Sequence, residues 1–163
     1  MFSAPELEAL MLGARWVARR TDSELARDAR NALSKIAAVL PADLRQSLHD
    51  SALLVGPPDA VHGGLDCLPM LRQAIRQERK LLVHYRDQHE RESERVIWPF
   101  ALGFFERVRM VAAWCEWRQA LRHFRVDRFM AMEQLDQRYP VRRQALLKQW
   151  RQEQGIRADP SNI

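Results

Sequence analysis

Five stretches decide the fold: LLVHYR at Leu81–Arg86, RVIW at Arg95–Trp98, VRMVAAWCE at Val108–Glu116, LRHFRV at Leu121–Val126 and FMAMEQL at Phe129–Leu135. Each is short, rich in β-branched, aromatic and aliphatic residues, and bounded by polar turn-like segments, which is the signature of strands. Five such strands in succession, with little room for helices between them, predict a small closed antiparallel barrel. Immediately before them, Leu68, Leu71 and Ile75 recur at helical spacing, predicting a helix to about Arg79. Immediately after them, Pro140 opens a helix to about Gln154 that turns Val141, Ala145, Leu146 and Trp150 toward the body. Beyond it Arg157 to Ile163 reads as a frayed tail.

Farther toward the N-terminus the texture changes. Gly56-Pro57-Pro58 and Gly63-Gly64 enclose a stretch with little periodicity, a linker with a short strand expected at Leu53 to Val55. Ser3-Ala4-Pro5-Glu6 forms a capping box that starts a helix to about Arg20, with Leu7, Leu10, Met11, Ala14, Val17 and Ala18 on one face. Thr21-Asp22-Ser23-Glu24 reads as a second capping box, opening a helix with Leu25, Ala29, Leu33, Ile36 and Leu40 in line. The two helices should pair as an antiparallel hairpin, with a third, short helix beginning at Pro41. The expected organisation is α+β: a helical segment over 1–50, a linker over 51–66, a barrel over 67–135 and a C-terminal helical extension over 136–163.

Composition narrows function without naming it. The 26 basic side chains against 21 acidic give a net charge of +5, and 23 of the 26 are arginine. Arginine grips phosphate or carboxylate in two places and stacks on bases, so the bias suits an anionic partner; codon usage in a GC-rich genome would leave the same mark. The longest apolar run, Met110 to Cys115, is far too short to span a bilayer, and a cytoplasmic location without membrane contact is expected. Cys67 and Cys115 lack any short paired spacing, and His49, His62, His84, His89 and His123 are scattered over different elements, so neither a disulfide, a metal site nor a cofactor is expected. No glycine-rich phosphate loop or serine elbow is present, and Cys115 lies in an apolar run that offers no activation, so no catalytic residues are assigned.

The most polar strand is the fourth. Alternation places His123, Arg125 and Asp127 on one face and Arg122, Phe124 and Val126 on the other. Arg125 with Arg95 and Tyr85 from other strands would make an anion pocket, Tyr85 offering a ring for a base. The competing reading is a set of surface arginines paired with Asp127, Glu94 and Glu116. A second basic run, Arg138, Arg142, Arg143, Lys148 and Arg151, is either a phosphate-tracking surface or a solvated helix face. The five tryptophans read as core or interface anchors.

These residues closely resemble the WYL domain of YafY-like, DeoR-type helix-turn-helix regulators. The resemblance runs through Ile75 to Tyr85, Arg95-Val96-Ile97-Trp98-Pro99-Phe100-Ala101-Leu102-Gly103, Arg109 to Cys115 and Arg122 to Phe129, with Arg95 and Pro99 meeting the Arg-x-x-x-Pro element and Arg122, Phe124, Asp127 and Arg128 the terminal one. Pro5 to Leu10 with the helix after it resembles the family's helical connector, and Arg138-Tyr139-Pro140 the start of its C-terminal extension. The resemblance implies an Sm-like, SH3-type barrel that binds a nucleic acid or nucleotide-like effector and controls a winged helix-turn-helix, usually in a homodimer. Arg109-Met110-Val111 stands where the family has Trp-Tyr-Leu, which removes an aromatic hydroxyl.

The ligand residues carried over are Tyr85, Arg95, Arg122, His123, Arg125 and Arg128. No helix-turn-helix precedes Ser3, so the DNA-reading partner is expected on a missing N-terminal domain or a separate chain. The leading expectation is a ligand-sensing regulatory module without enzymatic activity. The alternative is a stand-alone protein that binds RNA or single-stranded nucleic acid on the same basic surface.

Overall fold

In the computed structural model, residues 1–49, 53–56 and 66–156 are described. The chain divides into two units, Met1–Ala60 and Val61–Ile163. The first is helical: α1 (Ala4–Arg20), α2 (Ser23–Val39) and α3 (Ala42–His49). The Glu6 carboxylate accepts from the Ser3 backbone N–H at 2.7 Å, so the first expected cap forms. The second is displaced by one residue: Asp22, not Thr21, caps α2 by accepting from the Leu25 N–H at 3.0 Å. Thr21 instead closes α1, its N–H and hydroxyl both donating to the Val17 carbonyl. Leu7 and Leu40 are buried where α1, α2 and α3 meet, with Met11, Ile36 and Leu44 around them. No strand forms at Leu53 to Val55; the Leu53 carbonyl accepts from Arg15. Most of the expected linker lies outside the described residues.

The second unit is α4 (Leu68–Gln77), five strands and α5 (Arg143–Gln154). The strands are β1 (Arg79–Arg86), β2 (Glu92–Phe104), β3 (Arg109–Cys115), β4 (Ala120–Arg125) and β5 (Phe129–Arg138), in the order β4-β3-β2-β1-β5, every described pairing antiparallel. β2 runs well past Trp98, because Pro99 sits where the register slips between Pro99 and Ala101. A proline without an N–H is tolerated at such a bulge, and the extra residue bends the strand. The slip also changes which residues share a face: Ile97 and Leu102 belong to one core cluster, while Trp98, Phe100 and Ala101 belong to the other.

The expected closed barrel does not form: the five strands make a coiled sheet whose edges are β4 and β5. Between those edges the chain passes through a 3-10 turn, Val126–Arg128, that takes three residues out of strand geometry. At the seam, side chains do what a closing ladder would have done. The Arg125 N–H donates to the Tyr85 hydroxyl at 3.2 Å, and Phe124 on one edge stacks 6.1 Å from Phe129 on the other. Helix α4 covers the concave side, adding Leu68, Leu71 and Ala74 to the cluster that holds Leu81, Val83, Ile97, Val111 and Phe124. Helix α5 lies on the opposite side, where Leu146 joins Phe100, Ala112 and Tyr139. No described helix is long and apolar enough to cross a membrane.

Candidate functional site

The concave side of the sheet ends in a cationic rim built on Arg95. Strand register places Arg95 opposite Val83, on the face that carries the main core. Its guanidinium lies 4.8 Å from the Trp117 ring centre, 5.8 Å from Phe124 and 5.9 Å from Tyr85. Its Nε donates to the Ser93 hydroxyl at 2.9 Å, and among the described residues no carboxylate pairs with it. A guanidinium held over aromatic faces is fixed in direction while its remaining N–H groups stay available to an acceptor.

Trp117 comes from the turn between β3 and β4. It is 59% exposed, far more than an ordinary core tryptophan, and its other guanidinium neighbour is Arg118 at 4.7 Å. The strand pattern assigned Trp117 to no site, because the residue belongs to a turn and its partner Arg95 is distant in sequence. The available signal was the Trp-Arg pair at a hairpin tip.

The other expected ligand residues are distributed unequally. Tyr85 is buried, packed edge-on against Phe124 at 5.1 Å and Phe129 at 5.4 Å, with its hydroxyl committed to the seam. Its ring is a wall under Arg95. Arg122 shares the concave face with Phe124 and is exposed, and Arg128 sits in the 3-10 turn. Arg125 is held in a forked ion pair by Asp127, with Nε and Nη2 donating at 3.0 and 2.7 Å. That hydrogen bonding, opposed by partial desolvation and aided by the charge of Asp127, raises the guanidinium further above its usual value. His123 faces the opposite side and accepts from the Trp150 indole N–H at 2.8 Å. The structure therefore gathers Tyr85 and Arg95 and the backbone of Arg125, and places His123 elsewhere.

The second basic run is also divided. Arg142 reaches Glu78 at 3.4 Å, whereas Arg143 joins Arg72 and Arg76 around a groove of about 500 Å³ floored by Ile75, Phe104 and Leu147. Cys67 and Cys115 are both buried and reduced, and burial pushes the Cys67 thiol up to about 11. Among the described residues no group of three or more His, Cys, Asp or Glu side chains is placed to hold a metal ion.

A small coiled antiparallel sheet, filled from its concave side by a helix and rimmed by arginine, defines the class. Residues 66–134 match the family model described as WYL domain, and the chain carries a WYL domain over that stretch. Its first residues precede α4 and its last fall in β5, so the concave helix, β1 to β4 and the first part of β5 belong to it. Among solved structures the chain is similar to Proteasome accessory factor B/C (PafBC) of Arthrobacter aurescens, at 23% identity and a TM-score of 0.44, over 85% of this chain and 21% of that one. No curated protein sequence matches. In the Arg109-Met110-Val111 stretch, Val111 is fully buried in the concave core, while Met110 pairs with Gly103 and Arg125 on the other face.

Proposed function

We propose that this chain is the ligand-sensing module of a transcriptional regulator, and that its cationic rim binds a single-stranded nucleic acid or nucleotide. The observation that carries the reading is Arg95: a guanidinium without a carboxylate partner among the described residues, held between aromatic rings beside the exposed Trp117. Trp117 supplies a face for a base, Arg95 and Arg118 meet phosphate oxygens, and Arg122 and Arg128 extend the positive field. Arg125 contributes less, since Asp127 already satisfies its fork. Occupancy would be passed to a DNA-binding domain outside this sequence. The apolar groove of about 630 Å³ between α1 and α2, lined by Phe2, Leu10, Ala14, Ala29, Leu33 and Ile36, supports a homodimer in the same reading.

Calorimetric titration of short single-stranded oligonucleotides tests the proposal. Trp117→Ala and Arg95→Ala should each weaken binding about tenfold to a hundredfold, from lost stacking and lost charge-assisted hydrogen bonds of roughly 1.5–3 kcal/mol. Affinity should fall steeply with salt. Sedimentation of the same samples reports the oligomeric state. Wild-type binding by both variants would remove the rim as the site. If Arg143→Ala abolished binding instead, the stand-alone nucleic-acid binder would replace this reading, with the Arg72, Arg76 and Arg143 groove as its surface.

A further inference from the structure

The convex side of the sheet holds a different cavity, of about 450 Å³, between β2, β3 and α5. Its walls are Trp98 and Trp114 from the sheet and Val141, Ala145 and Leu146 from the α5 region, and its polar lining is Glu116, Gln119 and Gln149. The two indoles stack at 5.9 Å, and Trp98 is backed by Tyr139 at 6.3 Å with the rings nearly parallel, so the aromatic wall is rigid.

The polar lining of this cavity is weighted toward acceptors. Glu116 Oε1 already accepts from Lys80 Nζ at 2.6 Å and from Trp98 Nε1 at 2.8 Å, whereas Oε2 has no donor among the described residues. Partial burial opposes ionisation of Glu116, but these two hydrogen bonds and the Lys80 charge outweigh it and hold the carboxyl below its ordinary value. Gln119 donates its amide nitrogen to the Glu116 carbonyl at 2.6 Å, and Gln149 donates its own to Glu153 at 2.9 Å. Their amide oxygens have no donor among the described residues. The cavity therefore offers a carboxylate oxygen and two amide oxygens beside an indole wall, a lining that calls for a flat molecule rich in N–H donors.

Charge selects among such molecules. Glu116 would attract a cation, but the Lys80 ammonium lies on the same carboxylate and 5.2 Å from the Trp98 ring centre. At separations of this order the repulsion from Lys80 offsets most of the attraction to Glu116, because the two charges act over similar distances. An anion meets the converse balance. A neutral ligand meets neither.

We propose that this cavity binds a neutral, amino-substituted nitrogen heterocycle of purine size, through a guanine-type edge whose adjacent N–H groups donate to Glu116 Oε2. The ring lies against Trp98 and Trp114, and the Gln119 and Gln149 oxygens take the remaining donors. The site is separate from the arginine rim and does not rest on it: Glu116 and Trp117 are neighbours in sequence, but Glu116 lines the α5 side while Trp117 packs on Arg95.

Guanosine is the probe, followed by fluorine NMR of the 5-fluorotryptophan-labelled chain, with Trp98→Phe and Trp114→Phe assigning the two resonances. Guanosine should move both resonances with saturable affinity. Inosine, which lacks the 2-amino donors, should bind more weakly, and Glu116→Gln should weaken guanosine at least tenfold. Ala145→Phe, made at an exposed position on α5, fills the cavity without touching Glu116 and should abolish the shifts while leaving the sheet folded. Absence of any Trp98 or Trp114 shift at millimolar guanosine would overturn the proposal. So would binding that survives Ala145→Phe, or binding lost in Arg95→Ala but kept in Ala145→Phe, which would put the nucleoside on the rim.

Discussion

The two faces of one sheet have opposite constructions. On the concave face, Leu81, Val83, Ile97 and Val111 are fully buried against Leu71 of α4, and polarity is confined to the rim at Arg95. On the convex face, α5 covers the sheet only in part, so Trp98, Trp114, Leu121 and Trp150 stay partly exposed around Phe100. A face sealed by aliphatic packing supplies stability and holds whatever sits at its edge. A face covered by indoles and a helix that spans only part of it keeps volume for a small molecule. The same strands thus serve both purposes because alternate residues point to opposite sides.

Truncating the sealed face should have the largest effect. Leu71→Ala removes a fully buried side chain between α4 and the sheet, and should lower unfolding free energy by about 2–5 kcal/mol in urea denaturation. An effect below about 1 kcal/mol would mean that α4 is not integral to the concave core.

Alkaline titration should give an intermediate effect that distinguishes the faces. Cys67 belongs to the concave cluster, and burial raises its thiol from 9.0 to about 11. Tyr139 belongs to the convex one, where burial, reinforced by the Glu78 charge and opposed by Arg143, raises the phenol far above its usual value. Its hydroxyl donates to the Pro99 carbonyl, which a phenolate cannot do. Both groups are neutral when folded and ionise more readily when unfolded. Their contribution is therefore intact below the unfolded values and is lost as pH rises, from about 9 to 11 for Cys67 and above about 10 for Tyr139. Each should add a slope of up to ~1.4 kcal/mol per pH unit within its window. Cys67→Ala should flatten the lower window and Tyr139→Phe the upper; an unchanged profile in both would refute the assignment.

The smallest effect belongs to the rim. Arg125→Ala breaks a forked but half-exposed pair with Asp127 and should change stability by no more than about 0.5 kcal/mol. A loss above 1 kcal/mol would show that the pair, rather than the Tyr85 hydroxyl on the Arg125 N–H, secures the seam.

Much of this architecture was legible from residue pattern. Short runs of β-branched, aromatic and aliphatic residues between polar turns located all five strands, and the capping box at Ser3 and the spacing of Leu68 and Leu71 located helices, because these signals depend on neighbours along the chain. The WYL likeness followed from the same stretches and coincides with the family match over 66–134. The slip at Pro99 was not legible, since a proline reads locally as the end of a strand and only the partner β3 shows that pairing resumes beyond it.

Sequence by itself determined the element types, the arginine excess and the face to which each residue of β4 points. Tertiary structure alone decided that the sheet stays open, because closure depends on whether β4 and β5 meet, and the 3-10 turn with the Tyr85 hydroxyl takes the place of that ladder. It also decided which arginines are already satisfied. Arg125 and Arg95 look alike in sequence, but the carboxylate of Asp127 lies two residues from one, while the other, beyond a hydrogen bond to Ser93, is met by rings brought from three separate parts of the chain. Local pairing is written in neighbouring residues; convergence across the sheet arises only when the strands coil and bring distant side chains within reach.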